Sequence, residues 1–166
     1  MRIAILHQAV PQGAPADEQD VLEEVAAVGA ALSALGHDAV ALPVTLDLGA
    51  AVAALRNAAP DLVFNLCKSL PGAGRGGKLA AVPPALVESL GLSCTGNSAA
   101  VLAVTADKLL TKQKFRAAGI PTPAWLPDGD AEPPGPLIVK SQDEHASIGL
   151  GPDSVVAGLD LADQVQ

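Results

Sequence analysis

Residues 137–149, Leu-Ile-Val-Lys-Ser-Gln-Asp-Glu-His-Ala-Ser-Ile-Gly, carry the chain's clearest chemical signal. A short apolar run delivers Lys140 into a loop of small and hydroxyl-bearing residues. Such a segment suits phosphate. The β-branched run holds the backbone straight, Lys140 supplies a cation at the strand's exit, and Ser147 with Gly149 lets backbone N–H groups approach an anion closely. A second group of cations lies upstream in Thr105–Arg116, where Lys108, Lys112 and Arg116 follow one another at i, i+4 and i+8 and so share one helix face. That face is either a solvated side opposite Leu109, Leu110 and Ala117 or, together with Lys140, part of a triphosphate cradle.

The elements that must position these lysines follow from periodicity. Arg2–Leu6 reads as a buried strand, and Val21, Leu22, Val25, Val28, Leu32 and Leu35 recur at helical spacing up to Gly36. Ala39–Leu42 reads as a second strand, Leu48–Ala58 as a helix stopped by Pro60, and Leu62–Leu66 as a third strand. This alternation implies a parallel sheet. Leu79–Leu90 reads as helical after its prolines, Gly91–Gly96 as a short strand with its exit turn, and Ser98–Ala103 as a short helix. A helix from Thr105 through Ala118 then stops at Gly119, Pro121 and Pro123. Ala124–Leu126 and the strand carrying Lys140 form a pair joined by a Pro/Gly/Asp-rich turn, the start of an α+β unit.

Composition narrows the function classes. The 166 residues are 49% hydrophobic but only 2% aromatic, so Ala, Val and Leu must fill the core. A formal net charge of −8 argues against nucleic acid, whose affinity comes mainly from clustered Lys and Arg. No apolar run approaches membrane-span length and no signal peptide opens the chain, so a cytoplasmic protein is expected. Cys67 and Cys94 match no metal spacing and read as plain, buried or half-buried thiols.

Other candidate residues have ordinary explanations. His7 and Gln8 end the first strand, where open α/β sheets place ligand contacts, although a structural histidine is the simpler reading. Asp17, Glu18, Asp20, Glu23 and Glu24 suit the positive end of the first helix, and His37 is a loop residue. Gly72–Leu79 nearly satisfies G-x-x-x-x-G-K-[ST], but Leu79 stands where a hydroxyl should hold Mg²⁺ and Pro83-Pro84 interrupt the following helix. It reads as a Gly-rich surface loop, with a P-loop nucleotide binder as a competing class.

Taken in order, Asp61-Leu-Val-Phe-Asn65-Leu, Thr95-Gly96-Asn97-Ser98, Asp107-Lys108-x-x-Thr111-Lys112, Gly119-Ile-Pro121-Thr-Pro123, Val139-Lys140 and Glu144-His145-Ala-Ser147-Ile-Gly149 resemble the D-alanine–D-alanine ligases of the ATP-grasp superfamily. The resemblance implies an open parallel-sheet α/β pre-ATP-grasp domain over residues 1–96. Residues 97–166 would then be a linker helix and the first, incomplete part of an α+β ATP-grasp domain. It also implies that Lys108, Lys140, Glu144, His145, Ser147 and Gly149 bind ATP and that the protein is a homodimer, while His7 is a substrate-side candidate by its place at the end of the first strand alone. The implied chemistry is phosphorylation of one amino acid's carboxylate by ATP, then attack of a second amino acid's amine. Lys68 and Lys78 stand where such ligases generally carry acidic residues, which puts substrate binding by the first domain in question. The Mg²⁺ ligands and the remaining catalytic groups are expected beyond Gln166, so these residues are expected to be inactive by themselves. The alternative is a non-catalytic α/β binding or dimerisation module.

Overall fold

A computed structural model describes residues 1–14, 16–68, 70, 77–126, 135–143 and 150–156. The chain divides into two compact units, Met1–Val104 and Thr105–Gln166.

In the first unit, β1 (Arg2–Gln8), α1 (Ala16–Ala34), β2 (Asp38–Val44), α2 (Leu48–Ala58) and β3 (Leu62–Asn65) alternate as expected. Their strands form a parallel sheet in the order β2-β1-β3, with Ile3 opposite both Ala39 and Leu62. The central strand is buried on both faces, which is why it reads as an unbroken apolar run. Ala4 and Leu6 join Val44, Ala51, Leu55, Val63 and Val87 in one core. The alternate residues Ile3 and Ile5 are buried on the other face, where a Cβ at Gly29 of α1 would meet Ile5 Cδ1 at 3.6 Å.

Three helices end in the same way. Gly36, Gly91 and Gly119 adopt positive φ and donate to Ser33, Glu88 and Arg116, while the next residues, His37, Leu92 and Ile120, donate to Leu32, Val87 and Phe115. This pair of bonds defines the Schellman motif. Helix α2 closes instead on Ala59 at φ 42°, just before Pro60.

Several sequence expectations are corrected here. Pro83 and Pro84 do not interrupt a helix: after a 3-10 turn at Gly77–Ala81, they occupy the first turn of α3 (Val82–Ser89), where a missing N–H costs no helical bond. Gly91–Gly96 contributes only a parallel bridge, Cys94 beside Val63, because Gly91 and Leu92 are committed to closing α3. Helix α4 (Ala99–Thr105) starts with its Ala99 N–H donating to Glu88 of α3, so nearly all of it packs with the first unit.

Thr105 does not begin the next helix. The chain breaks at Ala106 and Asp107, and α5 runs from Lys108 to Ala117. Asp107 is extended, with φ −103° and ψ 112°, and caps α5 from outside it. Ala124–Leu126 is not a strand: the segment is held instead against α5, with Lys112 donating to the Pro123 carbonyl and the Trp125 ring beneath Lys112 and Arg116. The strand preceding Lys140, β4 (Leu137–Ile138), pairs antiparallel with β5 (Val155–Val156), and the Val139 N–H donates to Ser154 at 2.8 Å to extend the ladder. Among the described residues no helix is long and apolar enough to cross a membrane.

Candidate functional site

In the second unit, the start of α5 and the loop leaving β4 are built as one piece. An α-helix opens with N–H groups that lack intrahelical partners. Here the Lys108 N–H donates to the Gln142 carbonyl at 3.0 Å, and the Leu109 and Leu110 N–H groups both donate to Asp107 Oδ1 at 2.9 Å. Thr111 N–H makes the first regular helical bond, to the Asp107 carbonyl. The helix end is therefore satisfied from within, and positive charge for a ligand comes from side chains. The second Asp107 oxygen, Oδ2, accepts from Gln142 Nε2 at 2.8 Å. Lys108 Nζ also donates to the Gln142 carbonyl, at 3.5 Å. Lys140 is exposed two residues before Gln142, and Ser141 Oγ donates to Asp143 Oδ1 at 3.2 Å. One loop thus presents Lys140 while holding Lys108, two of the expected site residues.

The other two cations of the proposed helical face do different work. The Arg116 guanidinium lies 3.9 Å from the centre of the Trp125 ring, Lys112 Nζ lies 5.2 Å from it, and Nζ donates to the Pro123 carbonyl at 2.8 Å. Trp125, the chain's one tryptophan, is buried. Lys112, half-buried, and Arg116, still exposed, thus fasten the segment after α5 to the helix. Sequence reasoning passed over Trp125 and Gln142. The available signal was the Asp107-Lys108 N-cap pattern and an isolated aromatic shortly beyond the basic helix. The expected loop residues Glu144, His145, Ser147 and Gly149 lie outside the described residues, as does the Gly-rich segment 71–76.

In the first unit, the carboxyl ends of β1 and β3 meet where the chain's strand order changes direction, the usual ligand position in open α/β sheets. His7 is buried there, its Nδ1 donating to the Gln8 carbonyl at 2.9 Å. Gln8 Oε1 accepts from the Lys68 N–H at 3.1 Å, and Lys68 Nζ pairs with Glu24 at 2.5 Å. Glu24 is thus a partner for Lys68 as well as a residue of the early turns of α1. Asn65 Oδ1 accepts from the Cys67 N–H and fixes the turn out of β3. Cys67 is buried and Cys94 half-buried, both as free thiols. Burial, with the Glu88 carboxylate nearby, pushes the Cys94 thiol above its ordinary value. Among the described residues no group of three or more His, Cys, Asp or Glu could hold a metal ion.

No protein-family profile matches the chain. It is 41% identical over 128 residues to a D-alanine–D-alanine ligase of Moorella thermoacetica, covering 76% of this chain and 37% of that protein. It is 37% identical over 157 residues to one from Pseudomonas entomophila (90% and 45%), and 33% identical over 167 residues to one from a Synechococcus strain (92% and 50%). The chain thus spans half or less of the length of these relatives. Two crystal structures of D-alanine–D-alanine ligase from Bacillus anthracis share the fold. One, complexed with ATP, has a TM-score of 0.60 at 18% identity, covering 87% of this chain and 48% of that one. The other has 0.67 at 20%, covering 99% and 53%. These likenesses bear out the α/β class expected from the sequence.

Proposed function

The chain is a D-alanine–D-alanine ligase-like protein over the N-terminal portion of its relatives, and from this premise we propose that it is the part of an ATP-dependent carboxylate–amine ligase that holds the nucleotide's phosphates. The observation that carries this reading is the joining of Lys108 to the Lys140 loop through the Gln142 carbonyl. Two ammonium groups near one loop can neutralise the charge that develops as a phosphoryl group transfers. When bound, ATP supplies the phosphoryl group that activates an amino acid's carboxylate. The chain's own residues orient the nucleotide: Lys108 and Lys140 hold phosphate oxygens, and Glu144, His145, Ser147 and Gly149 are the further ATP-binding residues of this reading.

At the mouth of the first unit, Lys68 already has Glu24 as a counter-ion, so an amino acid arriving there meets a neutralised pair. Among the described residues no group of three or more His, Cys, Asp or Glu could hold Mg²⁺. The test is release of inorganic phosphate by the native protein carrying this chain, supplied with ATP and D-alanine. Release that rises several-fold on adding D-alanine, and not L-alanine, is the expected result. Release indifferent to D-alanine would refute the reading.

A further inference from the structure

Gln142 belongs to none of the expected site residues, yet it makes three of the contacts that join the β4 loop to α5. Its side-chain amide donates to Asp107 Oδ2, and its carbonyl receives both the backbone N–H and the ammonium of Lys108. Each Asp107 oxygen has its own task, Oδ1 capping two helical N–H groups and Oδ2 receiving Gln142. The carboxylate is therefore fixed in orientation by the helix, and through it the Gln142 amide is fixed as well. Lys140 is two residues away, so its Cα lies within about 7 Å of the Gln142 Cα. The Lys108 ammonium bond, at 3.5 Å, is longer than the 2.7–2.9 Å or so typical of charge-assisted N–H···O bonds.

We infer that Gln142 is a positioning residue: by locking the β4 loop onto the Asp107 cap, it sets the geometry in which Lys108 and Lys140 meet the same phosphates. The inference deepens the ATP reading and rests on it. Without the lock the loop keeps its charges but samples many arrangements, and ordering it becomes a cost of binding.

A donor–acceptor exchange tests this in the native protein carrying the chain, with ATP as the probe. Gln142→Glu sets two carboxylates against each other and should weaken ATP binding about tenfold, the size of one hydrogen bond to a charged group. Asp107→Asn combined with Gln142→Glu restores the pair with the roles exchanged, since the new amide's oxygen still caps α5 and its nitrogen donates to the carboxylate introduced in place of Gln142. That double variant should bind ATP within about twofold of the parent, a rescue that a packing role would not produce. Amide exchange at Lys108 and residues 139–143 should quicken in the single variant and recover in the double, with or without nucleotide. ATP binding unaffected by Gln142→Glu, or no recovery in the double variant, would overturn the inference alone. A parent protein that does not bind ATP would overturn the ATP reading and this inference with it, whereas unchanged amide exchange would overturn the lock whatever ATP does.

Discussion

Lys140→Ala is expected to weaken ATP binding by the native protein between about tenfold and a hundredfold, the worth of one or two charged hydrogen bonds to phosphate. Lys140 is exposed on the loop after β4, ahead of the Gln142 anchor, and its removal leaves the loop's hydrogen bonds intact. The loss should therefore appear in affinity and leave stability within about 0.5 kcal/mol, as for an exposed side chain outside the fold's supports. Lys68→Ala supplies the contrast, because that ammonium is engaged by Glu24 in the other unit. It should change ATP affinity by less than about twofold. Titration calorimetry on the two variants checks the pair, and equal losses would remove Lys140 from the phosphate site.

Trp125→Ala is expected to cost the second unit about 3–5 kcal/mol, as removal of a large buried aromatic side chain generally does. The ring is 8% exposed and carries both the Arg116 and Lys112 cations on it, so truncation leaves a cavity and strands two charges together. Such a loss is a large share of the roughly 5–15 kcal/mol by which domains are ordinarily stable. Circular dichroism during urea unfolding should show helix lost at markedly lower urea in Trp125→Ala, while Trp125→Phe keeps most of the ring's packing and falls between. A Trp125→Ala midpoint equal to the parent's would show that the cation-covered ring does not support α5.

The first unit was largely legible in the sequence, and the second only in part. Apolar runs of β1 and β3 and the Gly36 and Gly119 stops depend on local chemistry, which a sequence displays directly. The start of α5 was also displayed, by Asp107, but the apolar run through Ala99–Ala106 hid it, since two helices meeting end to end share one periodicity. What could not be read was pairing between distant residues. Gln142 meets Asp107 across 35 positions and Lys68 meets Glu24 across 44, and neither separation leaves a mark on local pattern. The basic face of α5 shows the same limit. Its spacing was read correctly, but the use of Lys112 and Arg116 against Trp125 depends on how the segment after Gly119 turns back.

The most direct test of the central claim is a lysine footprint: the native protein is labelled with an amine-reactive acylating reagent, with and without ATP, and the modified peptides are quantified. The account predicts that ATP slows labelling of Lys108 and Lys140 at least several-fold and leaves Lys68 and Lys112 unchanged. Labelling of Lys108 and Lys140 that does not respond to saturating ATP would contradict it.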